Sequence, residues 1–489
     1  MESSQSPDHG VQARLLVACP HGGSGLLMRI LAGSPVCMIM DERIPRRTTD
    51  LRDFLALCRP KKGSSHDNAF AIFKEEIIGH NYDGEDSLNI LSILSSSGRV
   101  CPVVLVRDPI RVFDNWKSVE LADARTMIDC YNTIFQLIHK TPPYDVLPLV
   151  YEKLLHDPRT EVARLCKWWT IPFSDAMLSF KKHLSLLIAS TTNSEKIANS
   201  EKGYLDPITA SSSTEADIPY RGLLSNTEKS HIEENLGRLY LRCWQDDIPR
   251  LRATLTEKTW FGFDLDDTLH EFRLSSGKAT DKVLEDISER YGTPILALKE
   301  EYGRVLKEKT ANAFSDGKTS FDYRRERFTS ALTRLSLPVD QQFMNELLES
   351  YETVLMASLE LKCGALDLLS TLKKMDKKIV VITEGPQDAQ ERTVKGLGIG
   401  GYIDFLATTN HFLVSKTSGI FPKVMEHLGI SSGDIAYIGD SEPRDMEPAM
   451  AEGIFSIHIA EKEDISLNTS PPRINTLKKL QYILSDDGP

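Results

Sequence analysis

The sequence has no excess of positive charge, no closely spaced cysteines and no apolar run long enough to span a membrane. Its 58 Lys and Arg face 70 Asp and Glu, giving a formal net charge of −12. That charge disfavours nucleic acids and acidic membranes as partners, because both need a positive surface. The eight cysteines form no Cys-x-x-Cys pair and no zinc spacing with histidine, which is typical of a reducing compartment. The polar residues 1–12 do not resemble a signal or transit peptide, so we predict a cytoplasmic protein.

The 489 residues are too many for one ordinary core and favour two domains. In both halves, short β-branched runs alternate with longer helical patterns, which indicates parallel sheets covered on both faces. We therefore predict an α/β fold with two parallel-sheet, Rossmann-like domains, the second of which has an inserted helical cap. The expected divisions are a tail at 1–12, a first domain at 13–250, a second domain at 258–460 with its cap at about 275–370, and a C-terminal segment at 461–489.

Three stretches near the middle of the chain depart from this alternation. Residues 185–225 are rich in serine, asparagine and charge, which predicts an exposed, partly mobile segment. A helix over 227–244 is expected to close the first domain. Residues 245–258 are then expected to be a short, partly helical linker between the two domains.

Acidic and small polar residues follow the apolar runs of the second half, where each predicted strand ends. Ligands of open parallel sheets bind at the carboxyl ends of strands, so these residues are expected to converge. Taken singly, each has an ordinary explanation, such as a helix cap for Thr383 and a solvated surface lysine for Lys416. Their occurrence in one order favours a common site. The residues are Asp264 and Asp266 after 260–263, Thr383 after 378–382, Lys416 before a helix starting near 419, Asp440 after 434–438, and Asp445 one helical turn later.

This order of motifs resembles the haloacid-dehalogenase superfamily over about residues 258–460. The resemblance implies a phosphohydrolase in which Asp264 attacks phosphorus and forms an aspartyl-phosphate. Asp266 protonates the leaving alcohol and then activates water, while Thr383 and Lys416 hold the phosphoryl oxygens. The chemistry requires these residue types, because a carboxylate that attacks an anionic phosphoryl group needs positive charge beside it.

Magnesium is the cofactor that the resemblance implies, held mainly by Asp264 and Asp440. Asp266 and Asp445 complete the set of candidate metal-binding residues. The proline that usually follows the family's lysine is absent after Lys416, which affects the stiffness of the loop more than its chemistry. The form of the first motif looks most like the nucleotidase-like branch of the superfamily.

The long insertion after the first motif matches the helical cap of this superfamily, which covers the site and selects the substrate. Tyr323, Arg324 and Arg325 lie in the insertion. Two interpretations of them stay open. They either reach an anionic group of the substrate or are solvated charges of a helix, and the second is the commoner case.

A glycine-rich turn joins the first strand of the chain to its first helix. Backbone amides in such a turn form a cradle for an anion at the helix N-terminus. Together with Arg107 and Asn115 after a later strand, the turn resembles the sulfotransferase superfamily over about residues 13–245. The resemblance implies that the turn binds the 5′-phosphosulfate of 3′-phosphoadenosine 5′-phosphosulfate, and that Arg107 and Asn115 bind its 3′-phosphate. The residues of the turn are Gly22, Gly23, Ser24 and Gly25.

The turn departs from the sulfotransferase pattern at two positions. Gly23 and Leu26 stand where the family has a Lys or Arg and a Thr or Ser. Loss of the cation removes charge that is expected to stabilise a transferring sulfuryl group. Either another cation substitutes, or this domain binds its ligand without transferring anything. The candidate cations are His21, Arg29 and Lys74, and the candidate acceptor bases are Glu75, Glu76 and His80.

The sequence therefore predicts a magnesium-dependent phosphatase that acts on a small phosphorylated metabolite and is fused to a sulfotransferase-like domain. Two alternatives stay open. The protein is either a bifunctional sulfotransferase and phosphatase of a specialised-metabolite pathway, or a phosphatase whose first domain is an inactive docking module. In each case the expected partner is a small phosphorylated molecule rather than a nucleic acid or a membrane.

Overall fold

The computed structural model divides the chain into two compact units, Met1–Gln245 and Asp246–Pro489. The structure describes residues 13–34, 36–40, 70–76, 100–139, 146–179, 188–189, 220–310, 314 and 316–485. Each unit contains one six-stranded sheet in which the described strand pairs are all parallel. The prediction of an α/β fold with two parallel sheets is therefore confirmed. None of the described helices combines the length and the apolar character that crossing a membrane requires.

The sheet of the first unit contains two adjacent apolar strands, β1 (Ala13–Ala18) and β4 (Val100–Val106). Consecutive side chains of both strands are buried, so both faces of the sheet are covered, as expected for parallel strands. The other strands are β2 (Cys37–Met40), β3 (Phe70–Glu76), β5 (Leu147–Val150) and β6 (Ile188–Ala189), in the spatial order β5-β4-β1-β3-β2-β6.

The helices of the first unit differ from the expected ones in one place. The helix expected over 227–244 is broken by a π-helical turn at Glu233–Gly237. Of the segment predicted to be mobile, residues 185–187 and 190–219 lie outside the described residues. The helices are α1 (Ser24–Ala32), α2 (Pro109–Ser118), α3 (Ala124–His139), α4 (Tyr151–His156), α5 (Pro158–Trp168), α6 (Asn226–Ile232) and α7 (Arg238–Arg242).

The sheet of the second unit places its first strand in the middle. Its strands are β7 (Trp260–Phe263), β8 (Lys378–Thr383), β9 (Phe405–Thr408), β10 (Ile435–Gly439), β11 (Phe455–Ile459) and β12 (Arg473–Ile474), in the order β12-β11-β10-β7-β8-β9. Gly262 of β7 lies against the Tyr437 ring, where an added Cβ would come within 2.8 Å of a ring carbon. Glycine therefore allows the close packing of the two central strands.

Eleven further α-helices lie among the described residues of the second unit, and the four longest belong to the insertion between β7 and β8. The helices outside the insertion are α8 (Asp247–Thr256), α13 (Ala365–Lys374), α14 (Gln387–Gly396), α15 (Thr409–Phe412), α16 (Ile420–Leu428), α17 (Glu447–Ala451) and α18 (Leu477–Leu484). Those of the insertion are α9 (Phe272–Tyr291), α10 (Ile295–Thr310), α11 (Ser320–Arg334) and α12 (Gln341–Ala357).

The helical cap has its own apolar core, to which residues such as Val283, Val305, Phe328 and Leu347 contribute. The expected cap extends to about residue 370, but α13 packs against α18 and β8 rather than against the cap helices. An apolar face at helical spacing shows only that a helix is half-buried, so the sequence did not separate this helix from the cap.

The two segments expected to flank the second domain pack within its unit. Residues 245–258, expected to be a linker, contain α8, and the C-terminal segment contains β12 and α18. The Arg252 Nε donates a hydrogen bond to the Ile483 carbonyl (2.7 Å), joining α8 to α18. Both segments therefore belong to the packed body around the second sheet.

Candidate active site

Three strand ends of the second sheet bring the predicted phosphohydrolase residues together. β7 pairs in parallel with β10 on one side and β8 on the other, so Asp264, Asp440 and Thr383 lie at the same edge. The Asp264 N–H donates to the Ile438 carbonyl (2.9 Å), which continues the ladder one residue past β7. The fold thus brings a carboxylate of the central strand between polar residues of both neighbours.

Lys416 is the buried cation of this site. It lies in a 3₁₀ turn (Lys416–Ser418) before α16, and its side chain is 3% exposed. Its Nζ lies 2.5 Å from Oδ1 of Asp264 and 2.5 Å from Oδ1 of Asp445. Gly419 adopts a φ of 107°, a left-handed conformation that lets the chain turn from this segment into the helix. Lys416 is therefore not a solvated surface lysine.

Asp445 has partners at both of its carboxylate oxygens. Besides Lys416, its Oδ1 accepts a hydrogen bond from the Tyr437 hydroxyl (2.9 Å), and its Oδ2 accepts one from the Ser441 N–H (3.0 Å). Gly439 leaves room for it, because an added Cβ there would lie 2.5 Å from the Asp445 Cγ. Asp445 thus holds both the lysine and the turn that follows β10.

Three carboxylates of the site are close enough to share one cation. Asp264, Asp440 and Asp445 each have an oxygen within 4.8 Å of the other two. The Thr268 hydroxyl lies 3.5 Å from oxygens of both Asp264 and Asp440. The three carboxylates face the ammonium of Lys416 and, 3.7 Å from Asp440, the largely exposed guanidinium of Arg273, which together leave an excess of negative charge. Oxygen ligands with such an excess suit a hard divalent cation.

The pKa values of the site reflect this crowding of charge. Burial raises the pKa of Asp264 well above its ordinary value, although Lys416 opposes the effect. Burial likewise raises the pKa of Asp440, and the neighbouring Asp445 raises it further. Burial alone would lower the pKa of Lys416, but attraction to Asp264 and Asp445 outweighs it and the pKa lies above its ordinary value. The lysine is therefore charged, while its acidic neighbours still lack positive charge.

The carboxylate of Asp266, the fourth candidate metal ligand, has other hydrogen-bond partners than the three carboxylates around Lys416. His270 Nε2 lies 2.9 Å from its Oδ1, and the Gln390 Nε2 donates to its Oδ2 (3.3 Å). Sequence reasoning missed both residues as site residues. The four-residue spacing between Asp266 and His270 was the only signal for one of them, and the position of Gln390 depends on the tertiary fold.

Thr383 ends β8 with a fully buried side chain. Its Oγ1 makes no hydrogen bond to any residue that the structure describes. It is not the cap of the following helix, since Pro386 occupies the N-cap of α14. The next residue, Glu384, accepts a hydrogen bond from the Lys416 N–H (3.2 Å), which ties this strand end to the lysine loop. The Thr383 hydroxyl is thus a buried polar group at the strand end beside Asp264, without a hydrogen-bond partner among the described residues.

Helix α14 also contacts the cap. The N–H and hydroxyl of Ser320, the first residue of α11, donate to Asp388 (2.9 and 2.7 Å). Arg392 donates to the Ser320 hydroxyl (2.7 Å) and to Glu352 of the cap (2.6 Å). The cap therefore rests on the same helix that carries Gln390.

The three cap residues considered for substrate binding have structural partners. Arg324 is paired with Glu352 and stacks on the Tyr351 ring. The Tyr323 hydroxyl accepts a hydrogen bond from the Phe314 N–H (3.1 Å). Arg325 donates to Asn345 (2.9 Å). Arg324 and Tyr323 are buried, so the interpretation as solvated charges is wrong for them.

In the first unit, the glycine-rich turn explains one departure from the sulfotransferase pattern. The Gly22 N–H donates to the Cys19 carbonyl (2.8 Å) and closes the turn before Ser24 begins α1. Gly23 has a φ of 89°, and an added Cβ there would lie 2.1 Å from the Tyr151 ring. A lysine or arginine at Gly23 is therefore incompatible with this position of Tyr151.

Arg107 reaches the glycine-rich turn, and Asn115 lies two helical turns further on. Arg107 Nη1 donates to the His21 carbonyl (3.4 Å), and its guanidinium lies 4.5 Å from the centre of the Tyr151 ring. Asn115 is buried in α2, and its carbonyl accepts a hydrogen bond from Ser118 (2.8 Å). Of the candidate cations, Arg29 is buried in α1 and Lys74 is partly buried in β3. Gly25 of the turn lies in α1. Of the candidate acceptor bases, Glu75 and Glu76 lie in β3, and His80 is outside the described residues.

Comparison with known proteins supports the assignment of the second unit. Residues 263–459 match the sequence profile of the haloacid dehalogenase-like hydrolase family. This part of the chain is therefore a haloacid dehalogenase-like hydrolase domain.

Three relatives each match less than half of this chain. A glyceraldehyde 3-phosphate phosphatase of Methanocaldococcus jannaschii is 26% identical over an alignment of 143 residues, and the match covers 27% of this chain and 63% of the relative. The chain thus spans less than two thirds of that relative's length. The magnesium-bound HAD-hydrolase YfnB of Bacillus subtilis is 22% identical, with 47% of this chain and 99% of that chain covered and a TM-score of 0.38. A HAD phosphatase of Thermococcus onnurineus is 23% identical, with 46% and 97% covered and a TM-score of 0.36.

Proposed function

We propose that the second unit is a phosphatase that hydrolyses a small phosphorylated metabolite with Asp264 as its nucleophile. The observation that supports this most is the contact of the buried Lys416 with both Asp264 and Asp445 at the carboxyl edge of a parallel sheet. The relative named a glyceraldehyde 3-phosphate phosphatase favours a small phosphorylated metabolite as the substrate class.

The residues of the site would share the two steps of the proposed reaction. An Asp264 oxygen forms a bond to phosphorus while the bond from phosphorus to the leaving oxygen breaks, and Asp266 gives that oxygen a proton. Water then attacks the phosphorus of the aspartyl-phosphate and loses a proton to Asp266, which releases phosphate and restores Asp264. Lys416 and the Thr383 hydroxyl would hold the phosphoryl oxygens.

Magnesium fits the residues of this site. Asp264 and Asp440 would hold it, because the oxygens of Asp445 already have partners in Lys416, Tyr437 and Ser441. When bound, the ion supplies positive charge that the three carboxylates lack and that an anionic substrate needs. The carboxylate of Asp266 points instead to His270 and Gln390, which supports its role in proton transfer.

Magnesium-dependent release of phosphate tests the proposed function. The purified full-length chain is expected to release inorganic phosphate from members of a panel of sugar, triose and nucleoside monophosphates when magnesium is present. Addition of a chelator should stop the release, and excess magnesium should restore it. Release that is unchanged by the chelator, or no release from any member of the panel, would contradict the proposal.

Binding of the metal can be measured apart from turnover. Magnesium at about 100 times its dissociation constant should stabilise the wild-type protein by about 2.7 kcal/mol, seen as a rise in its melting temperature. Asp440→Asn should lose most of this rise because it removes a proposed ligand. Asp281→Asn, which changes a half-exposed acid of the cap (53% side-chain exposure), should keep it. Equal rises in all three proteins would show that the metal binds elsewhere.

We propose for the first unit that it binds an adenosine 3′,5′-bisphosphate group, as a sulfotransferase-like domain would. The position of Arg107 against the glycine-rich turn supports this. A lysine or arginine side chain at position 23 would collide with the Tyr151 ring, which favours binding of the ligand without transfer of a sulfuryl group. Transfer from 3′-phosphoadenosine 5′-phosphosulfate would require another cation at the turn. A docking module without ligand is the remaining alternative.

Isothermal titration with adenosine 3′,5′-bisphosphate separates these alternatives. Arg107→Ala should weaken binding by about 10- to 100-fold, because a charge-assisted hydrogen bond contributes roughly 1.5–3 kcal/mol. Arg125→Ala, at an exposed position of α3, should bind as the wild type does. No binding at millimolar ligand would favour the docking module, and equal affinity of wild type and Arg107→Ala would exclude Arg107 from the site.

A further inference from the structure

The carboxylate of Asp266 is held at both oxygens by side chains from two separate segments. His270 Nε2 lies 2.9 Å from Oδ1, and Gln390 Nε2 lies 3.3 Å from Oδ2. His270 is fully buried and Gln390 is 5% exposed, whereas the Asp266 side chain is 21% exposed. Two buried groups thus fix a carboxylate that still reaches the open part of the site.

His270 is fixed by the backbone of the segment that contains the nucleophile motif. Its carbonyl accepts a hydrogen bond from the Asp267 N–H (2.9 Å), and its N–H donates to the Leu265 carbonyl (3.3 Å). The ring Nδ1 is buried and makes no hydrogen bond to any residue in the described part of the chain. The carboxylate of Asp266 is therefore the polar partner of the imidazole, and we infer that Nε2 carries the ring hydrogen and donates it to Asp266 Oδ1.

Gln390 approaches Asp266 across a glycine. An added Cβ at Gly385 would lie 2.4 Å from the Gln390 Nε2 and 3.2 Å from its Cδ. The amide oxygen of Gln390 is buried and has no hydrogen-bond partner among the described residues. A side-chain amide has both donor and acceptor atoms, so Gln390 remains a suitable partner when Asp266 gives up or takes up a proton. A lysine or arginine in its place would pair only with the ionised acid.

We propose that His270 and Gln390 are positioning residues that hold the Asp266 carboxylate in the orientation needed for proton transfer to the leaving oxygen. The inference rests on the proposed phosphatase function and adds two residues to it. Among the described residues, no hydrogen bond or ion pair joins His270 or Gln390 to Asp264 or Lys416. Loss of His270 or Gln390 should therefore affect the proton-transfer step rather than phosphoryl binding. A general acid helps most when the leaving oxygen is strongly basic.

The test compares two leaving groups in the full-length protein. We expect His270→Phe and Gln390→Leu to lower kcat for an alkyl phosphate such as glycerol phosphate by about 10²-fold. The same variants should lower kcat for p-nitrophenyl phosphate by less than about threefold, because nitrophenolate leaves without a proton. KM should change little for either substrate. Equal losses with both substrates, or no loss with glycerol phosphate, would overturn the proposal.

A third variant tests the same contact without changing either positioning residue. Gly385→Ala should displace the Gln390 amide and produce the same dependence on the leaving group, since residue 385 does not have the left-handed backbone that demands glycine. This variant keeps the proposal testable if a replacement of the buried His270 prevents folding. A wild-type protein that hydrolyses neither substrate would instead refute the phosphatase function itself, so the two failures are distinguishable.

Discussion

Asp264→Asn is expected to lower the rate of phosphate release by about 10⁴-fold or more, leaving at most a trace of activity. The amide that replaces the carboxylate is a poor nucleophile and cannot form the aspartyl-phosphate. Binding of substrate should survive, because Lys416 keeps its second partner, Asp445, at 2.5 Å. The measurement is phosphate release under single-turnover conditions, with wild type and variant purified in parallel.

The folded state should tolerate this substitution well. Burial raises the pKa of Asp264, which means that the folded protein holds its charged form at a cost. Asparagine removes that cost and can still accept a hydrogen bond from Lys416, so the free energy of unfolding should fall by no more than about 1 kcal/mol. Equal rates of phosphate release by variant and wild type, with both proteins folded, would show that Asp264 is not the nucleophile.

The central part of this site could be predicted from the sequence because its residues stand directly at strand ends. Asp264 follows β7, Thr383 ends β8 and Asp440 follows β10, and the parallel sheet makes these ends neighbours. The pattern of an apolar strand followed by a polar residue is local, so it can be found without knowing the strand order. Lys416 could be assigned to the site only through the family resemblance, because its turn does not directly follow a strand.

The partners of these residues could not be predicted in the same way. Gln390 meets Asp266 because α14 folds back over a glycine, and no spacing in the sequence indicates that approach. The end of the cap could not be located from the sequence for a related reason. The apolar face of α13 is the same whether it packs on the cap or on α18, and only the tertiary fold decides between them.

Lys416→Met should lower the free energy of unfolding by about 3–5 kcal/mol at neutral pH without metal, and it should also abolish activity. The lysine Nζ lies 2.5 Å from carboxylates of Asp264 and Asp445 whose side chains are 8% and 2% exposed. Methionine fills the space of the lysine stem but leaves both carboxylates without their cation in a buried place. Urea unfolding of wild type and variant, monitored under identical conditions, measures the loss.

The dependence of this loss on pH identifies its electrostatic origin. The pKa of Asp264 is raised in the folded protein, and removal of Lys416 takes away the interaction that opposes this rise. An acid with a raised pKa binds its proton more tightly in the folded state, so folding becomes more favourable as pH falls from the folded pKa toward the ordinary value of about 3.9. The stability difference between variant and wild type should therefore shrink as the pH is lowered from neutral.

Magnesium and a matched surface variant complete the test of Lys416. Magnesium should stabilise Lys416→Met more than it stabilises the wild type, because the ion replaces part of the missing positive charge. Lys299→Met removes a lysine that is 49% exposed and paired with Asp281 at 2.8 Å, so it should cost only a small fraction of the Lys416 loss. Two results would contradict this: Lys416→Met and Lys299→Met lower the free energy of unfolding equally, or the effect of Lys416→Met does not change with pH. Either would mean that burial of the carboxylates and not their charge determines the stability of this site.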